Sequence, residues 1–165
     1  MQYTSHYASP MGNILLAADG IGLTGLWLAG QKYFALRLDA EHSEKEIPTL
    51  TQAKKWLDIY FAGQEPAIDI PLHFVGTAFQ KDVWQILCSI PYGRTITYGA
   101  IAERIASQRG IRQMSAQAVG NAVGHNNISI IVPCHRVVGQ NGSPTGYAGG
   151  IDKKAWLLAL EGIVL

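Results

Sequence analysis

Residues 128–139 read Ile128-Ser129-Ile130-Ile131-Val132-Pro133-Cys134-His135-Arg136-Val137-Val138-Gly139. The apolar, β-branched run from Ile128 to Val132 predicts a buried strand. Pro133 ends it and restricts the backbone there. Cys134 stands at that end, with His135 and Arg136 directly after it. A thiol is nucleophilic as the thiolate, a form that apolar burial disfavours. His135 can take the proton, and Arg136 can favour the negative charge. Adjacent residues of an extended chain point to opposite faces, so a direct Cys134–His135 link needs a turn. A water between them would leave His135 relaying the proton to a carboxylate. Glu161 is the only acid of the last helix besides Asp152 at its start. Against this stands the plainer reading of an isolated Cys-His pair, because free cysteine is usually buried and inert.

Downstream, residues 139–150 hold five glycines, and a helix is expected from about Asp152 to Glu161, carrying Trp156, Leu157 and Leu160. The loop lacks the Gly-Lys-Ser/Thr ending of a nucleotide phosphate loop. Upstream, Thr77-Ala78-Phe79-Gln80 opens a helix with Phe79, Val83, Ile86 and Leu87 on one face. It must end before Pro91-Tyr92-Gly93, and Cys88 on it reads as core. Ile96-Thr97-Tyr98-Gly99 leads into a short helix with Ile101, Ala102 and Ile105 inward, broken at Arg109-Gly110. Ser115 caps a second short helix, Ala116 to Val123, that ends at Gly124. The pair has a helix-turn-helix outline. Small residues at 116, 118, 120 and 122 let the second helix approach another surface closely.

The first half differs. Tyr3 to Ala8, Ile14 to Ala18 and Ile21 to Leu28 read as a three-stranded antiparallel meander, turning at Ser9-Pro10-Met11-Gly12-Asn13 and at Asp19-Gly20. Residues 38–48 are charged and weakly patterned, hence a loop. A helix from about Thr49 to Phe61 has Leu50, Ala53, Leu57 and Tyr60/Phe61 at helical spacing, with Thr49 or Thr51 as cap and Gly63 to close it. The extended Pro66–Pro71 segment leads to a domain boundary near residue 75, giving domains 1–75 and 76–165.

The 165 residues are 48% hydrophobic and 15% charged, too apolar for a disordered chain and long enough for one or two small cores. The net charge of +1 conceals an asymmetry. Residues 1–75 carry five Lys/Arg against eight Asp/Glu, net −3, whereas residues 76–165 carry eight against four, net +4. A polyanion partner for the second half is therefore permitted, not required. No apolar run reaches membrane-spanning length, and the N-terminus lacks a secretory signal pattern. Two cysteines cannot build a disulfide framework, and no Cys/His cluster has zinc spacing. These features lead to the expectation of a reducing, cytoplasmic setting and no membrane partner.

The string Ile131 to Gly139 resembles the active-site motif of the O6-alkylguanine-DNA alkyltransferases, the methylated-DNA–protein-cysteine methyltransferases. The resemblance continues through Phe79 to Pro91, Thr97-Tyr98, Ala118-Val119-Gly120, Gly146-Tyr147-Ala148-Gly149-Gly150 and Lys154 to Gly162. The first half matches in outline only. The resemblance implies an α+β chain: a small N-terminal ribonuclease-H-like α/β domain, then a mainly helical, winged helix-turn-helix-like C-terminal domain. It implies double-stranded DNA carrying an alkylated base as partner, bound by a monomer. Cys134 would accept the alkyl group from O6 of guanine, with O4 of thymine left open as a second donor, irreversibly and once per molecule. His135 would take the thiol proton through a water, Glu161 would complete the relay, and Asn126 would bond the backbone around the cysteine turn. Tyr98 would lie beside the guanine, its hydroxyl near N3. The N–H of Ala148 would point at O6, the carbonyls of Cys134 and Val137 would accept from the exocyclic amine, and Tyr147 would wall the pocket of a flipped base. The helix bearing Gln117, Ala118 and Gly120 would face the minor groove.

One departure from the family pattern stands out. Better-known members carry an arginine that fills the gap left by the flipped base, and this chain has Gln117 there. Gln117 brings no charge, so weaker capture or slower flipping is expected, with Arg109, Arg112 and Arg136 as partial compensation. Some relatives hold a structural zinc in the first domain. With no cysteine before Cys88, none is expected here, and no cofactor is needed because the lesion carries its own leaving group. Two competing readings are a non-enzymatic lesion-binding module, against which Cys134 argues, and a turning-over Cys-His hydrolase. The latter would need a further histidine from among His6, His42, His73 and His125.

Overall fold

The structure, a computed structural model, describes residues 1–164. Its architecture is α+β, and the chain forms two compact units. Met1–Val75 make the first together with Asn127–Ser129; Gly76–Asn126 and the chain from Ile130 onward make the second.

In the first unit the strands β1 (Gln2–Ser9), β2 (Gly12–Ala18) and β3 (Leu23–Leu28) form the antiparallel meander. Ser9 and Asp19 shape its turns. The Ser9 hydroxyl donates to Gly12 O at 2.7 Å, and Asp19 Oδ1 accepts from the N–H groups of Ile21 and Gly22 at 2.8 and 3.0 Å. From Ile14 to Ala18 and throughout β3 the residues are buried instead of alternating, because both sheet faces are covered. Leu15, Ala17 and Trp27 cluster with Ala35 and Leu38. A fourth strand appears where a loop was expected: β4 (His42–Glu44) joins the sheet edge parallel to β1, Gln2 opposite His42. Its three side chains are all exposed, so no apolar alternation marks it.

Helix α1 (Pro48–Phe61) buries Leu50, Ala53, Leu57 and Tyr60. Neither Thr49 nor Thr51 caps it. Ile47 occupies the cap position without a side-chain bond, and Pro48 opens the helix, where its missing N–H costs nothing. The Thr51 hydroxyl instead donates to Glu46 at 3.1 Å.

The strand expected over Ile128–Val132 does not form. Only Ile128 bridges, in parallel fashion, to Leu26. Ile130 has φ 70°, a left-handed conformation rare for a β-branched residue. The run is buried, as its composition demands: Ile128, Ile130 and Val132 are core residues. Burial alone does not make a strand, and here the chain leaves one unit for the other within those few residues.

In the second unit α2 (Ala78–Cys88) begins with a reciprocal capping box: Thr77 Oγ1 accepts from Gln80 N at 3.1 Å, and Gln80 Oε1 accepts from Thr77 N at 3.0 Å. Val83, Trp84, Ile86 and Leu87 are buried, and Trp84 Nε1 donates to Ala122 O at 2.9 Å. Cys88, expected in the core, is exposed, since it falls past the edge of this buried stripe. β5 (Ile96–Thr97) precedes α3 (Tyr98–Arg109), which Thr97 caps and which ends on Gly110 in the left-handed conformation, φ 64°. α4 (Ala116–Gly124) starts with Ser115 Oγ accepting from Ala118 N at 3.2 Å. β6 (Val137–Val138) pairs in parallel with β5. α5 (Ile151–Leu160) follows the glycine-rich loop and turns Lys154, Leu157 and Leu158 inward, while Trp156 is 40% exposed. Among the described residues, no helix is long and apolar enough to cross a membrane.

Candidate active site

The backbone around Cys134 makes two tight turns in succession. Pro133 has φ −81° and ψ 64°, and Cys134 N donates to Val132 O at 2.8 Å; this is an inverse γ-turn. Cys134–Arg136 then form a 3-10 turn. Consecutive side chains in such a turn diverge, so Cys134, His135 and Arg136 meet different surroundings. Asn126 braces the turn, its Nδ2 donating to Val132 O at 2.9 Å.

The Cys134 side chain is nearly enclosed, the residue being 5% exposed. Burial pushes its thiol pKa up. The Asn126 amide, the Lys154 charge and the N–H groups of Cys134 and His135 pull it down without overcoming burial. The resting sulfur is therefore a thiol, and a base must act when it reacts. The sequence offered Arg136 as the cation favouring the thiolate; the structure puts Lys154 in that position.

His135 is fully buried, and its Nε2 lies 2.5 Å from Glu161 Oε2. Burial lowers the imidazole pKa despite the carboxylate beside it. A neutral ring that donates from Nε2 leaves Nδ1 as its basic atom. Glu161 Oε1 accepts from Arg136 Nε at 2.8 Å and from Gly93 N at 2.9 Å. Burial pushes the Glu161 carboxyl up, but His135, Arg136 and Gly93 together carry it down to about 2. Glu161 is thus a fixed anion that orients the imidazole and stabilises its protonated form.

Arg136 is only 7% exposed. Its Nη1 donates to Ile90 O at 2.8 Å, and its guanidinium lies over the Tyr92 ring at 5.6 Å. The Glu161 carboxylate and the Ile90 carbonyl hold it inward, away from the exposed surface on which the sequence places it. Arg109 is also engaged, with Asp82 at 2.9 Å and over the Phe79 ring. On α4, Gln117 and Ala118 are exposed, as is Arg112 before it, whereas Val119, Ala122 and Val123 face inward.

Tyr98 stands at the start of α3, half-buried, against α4: a methyl group added at Gly120 would sit 3.7 Å from its ring. Burial and then the Cys134 charge raise its phenol pKa to about 12. Its hydroxyl donates to Thr145 O at 2.9 Å and to Gly146 O at 3.3 Å. Gly146 has φ 62°, which bends the loop toward this hydroxyl. Tyr147 and Ala148 follow, both half-buried. The carbonyls named as acceptors have partners within the chain: Cys134 O accepts from Val137 N, and Val137 O from Lys154 Nζ.

The sequence places Lys154 at the head of the Lys154–Gly162 resemblance but assigns it no role, although a signal for one exists. Lys154, Leu157, Leu158 and Glu161 recur at helical spacing, so two charges share the buried stripe of α5. Charges there demand partners, and the carbonyls and ion pairs above provide them. Among the described residues, no cluster of three or more His, Cys, Asp or Glu side chains could hold a metal.

Comparison with known proteins points the same way. Residues 78–163 match the DNA-binding domain of 6-O-methylguanine DNA methyltransferase, and residues 2–74 match its ribonuclease-like domain. A methylated-DNA–protein-cysteine methyltransferase of Methanosarcina acetivorans is 45% identical over 97% of this chain and 98% of its own. The constitutive methyltransferase of Bacillus subtilis is 39% identical over 99% and 97%. The crystal structure of Mycobacterium tuberculosis OGT in complex with DNA superposes with a TM-score of 0.82 at 42% identity, covering 96% of this chain and 92% of that one. With both halves matched and relatives aligned nearly end to end, the chain belongs to the 6-O-methylguanine DNA methyltransferase family.

Proposed function

We propose that this protein repairs double-stranded DNA by moving an alkyl group from O6 of guanine to its own Cys134, irreversibly and once per molecule. The observation that carries the reading is the enclosed Cys134 thiol beside a His135–Glu161 pair, in a chain of this family. The thiol proton passes to His135 Nδ1, through a water, and Glu161 stabilises the imidazolium. The sulfur anion attacks the alkyl carbon in line, an S–C bond forms, and the C–O bond electrons go to the guanine oxygen. Tyr98 lends a hydrogen bond or proton to N3 as the leaving base gains charge. Asn126 holds the cysteine turn, and Gln117, Ala118 and Gly120 present α4 to the minor groove. Tyr147, Ala148 and the Val137 carbonyl line the place of the extruded base. A thioether is not readily hydrolysed, which makes the transfer final. The base carries its own leaving group, so the reaction calls for no cofactor. A reducing cytoplasm would keep the acceptor thiol available.

The test is mass spectrometry after mixing with O6-methylguanine DNA. One added methylene mass on the peptide containing Cys134 is expected. Binding without a mass change would favour a lesion-binding module, and repeated turnover of an ester or amide a hydrolase.

Gln117→Arg should tighten DNA binding and steepen its salt dependence, with a log–log slope about one unit more negative, because it adds one phosphate-attracting charge. An unchanged slope in a titration of affinity against salt would remove residue 117 from the interface.

A further inference from the structure

Lys154 is fully buried, yet the proton path above makes no use of it. Its ammonium donates to three carbonyls: Val137 O on β6, Thr145 O at 2.8 Å and Gly146 O at 3.2 Å. The Tyr98 hydroxyl donates to the last two as well, and Nζ lies 5.8 Å from the centre of the Tyr98 ring. One phenol and one ammonium thus share two acceptors, but their capacities differ. A hydroxyl has a single proton, so Tyr98 cannot hold the loop and donate to a base together; an ammonium has three, one for each carbonyl.

We propose that Lys154 is a positioning residue for alkyl transfer, pinning the Thr145–Gly146 stretch to β6 while the Tyr98 hydroxyl leaves those carbonyls for the incoming base. The proposal rests on the base-contact reading of Tyr98 given above. It accounts for a buried lysine that otherwise satisfies only carbonyls. When Tyr98 lets go, neither loop carbonyl is stranded, so the exchange avoids the cost of an unmet acceptor. The same cation also acts on the charges around it. It opposes the burial of the Cys134 thiolate, and with Arg136 it disfavours protonated His135, against the pull of Glu161. Removing it should therefore alter the pH response of the thiol as well as the firmness of the loop.

The experiment uses the full chain with Tyr98→Phe, Lys154→Met and Lys154→Arg. Hydrogen exchange over residues 143–150 reads the pin. Alkylation of Cys134 by iodoacetamide against pH, followed on its own peptide so that Cys88 does not interfere, reads the charge. Lys154→Met is expected to speed loop exchange about tenfold or more, to move the alkylation midpoint to higher pH, and to slow transfer from O6-methylguanine DNA about tenfold. Tyr98→Phe should leave loop exchange close to that of the parent, and Lys154→Arg should keep the parent's midpoint. If Tyr98→Phe loosens the loop as much as Lys154→Met, or if Lys154→Met keeps both the loop exchange and the midpoint of the parent, the proposal is overturned. Should Lys154→Met fail to fold, loop exchange in Tyr98→Phe decides by itself: protection retained supports the pin, protection lost removes it. A parent chain that takes no methyl group from the DNA defeats the repair reading instead, while loop exchange and iodoacetamide still decide whether Lys154 pins the loop.

Discussion

Cys134→Ala is expected to abolish alkyl transfer completely while DNA binding stays nearly unchanged. The loss is total because the sulfur is the product site: without it there is no atom on which the alkyl group can finish. Cys88 cannot substitute, since it is exposed on α2 and lacks the His135–Glu161 base. The fold should tolerate the change. Losing one buried sulfur costs on the order of 1 kcal/mol, and neither the capping box of α2 nor the ion pairs of Glu161 involve Cys134. DNA affinity should persist because Gln117, Ala118 and Arg112 lie on the exposed side of the helix pair. Transfer is read from the mass of the chain after exposure to methylated DNA, and affinity from a gel shift. Parallel loss of both would mean that the thiol holds the binding surface together, contrary to the roles assigned.

Some of this arrangement was legible in the residues. Local signals were sufficient where one residue type has one structural use. Asp19 and Ser9 gave the turns, Thr77 and Ser115 the helix starts, and Arg109-Gly110 the break between α3 and α4. What failed depends on partners distant in the chain. The run Ile128–Val132 has a strand's composition, but residues 127–129 belong to the first unit and Ile130 turns back. Strand β4 is held by backbone pairing to β1 without any apolar side chain to announce it. Arg136 looked like a surface cation because the sequence does not show that Glu161 and Ile90 O await it inside. The helical spacing of α5 marks Lys154 as buried, but its three acceptors lie on β6 and on the glycine-rich loop, where no local pattern announces them.

The second large effect concerns Glu161. Glu161→Gln should destabilise the chain by roughly 3–5 kcal/mol at neutral pH, the usual cost of removing one partner from a buried ion pair. Three donors converge on this carboxylate: His135 Nε2, Arg136 Nε and Gly93 N. An amide offers one oxygen and turns an NH2 group toward a donor, so Arg136 loses its counter-charge inside the protein. The pH dependence should separate this from a simple packing defect. A carboxyl carried from its ordinary 4.5 to about 2 contributes roughly 3 kcal/mol. With the folded value depressed, that contribution is whole above 4.5, fades as pH falls from there to about 2, and is gone below. His135, held neutral by burial, adds to the same trend from about 6.5 downward, since the unfolded chain takes up that proton more readily. Denaturant unfolding at pH 7, 4 and 3 should therefore show the parent losing stability steeply between pH 4 and 3, while Glu161→Gln declines much less over that interval. Alkyl transfer by the variant should also fall, because its imidazole no longer has an anion to stabilise the proton taken from Cys134. Equal slopes for the two proteins would show that Glu161 is not the depressed carboxylate on which the acid stability and the proton relay depend.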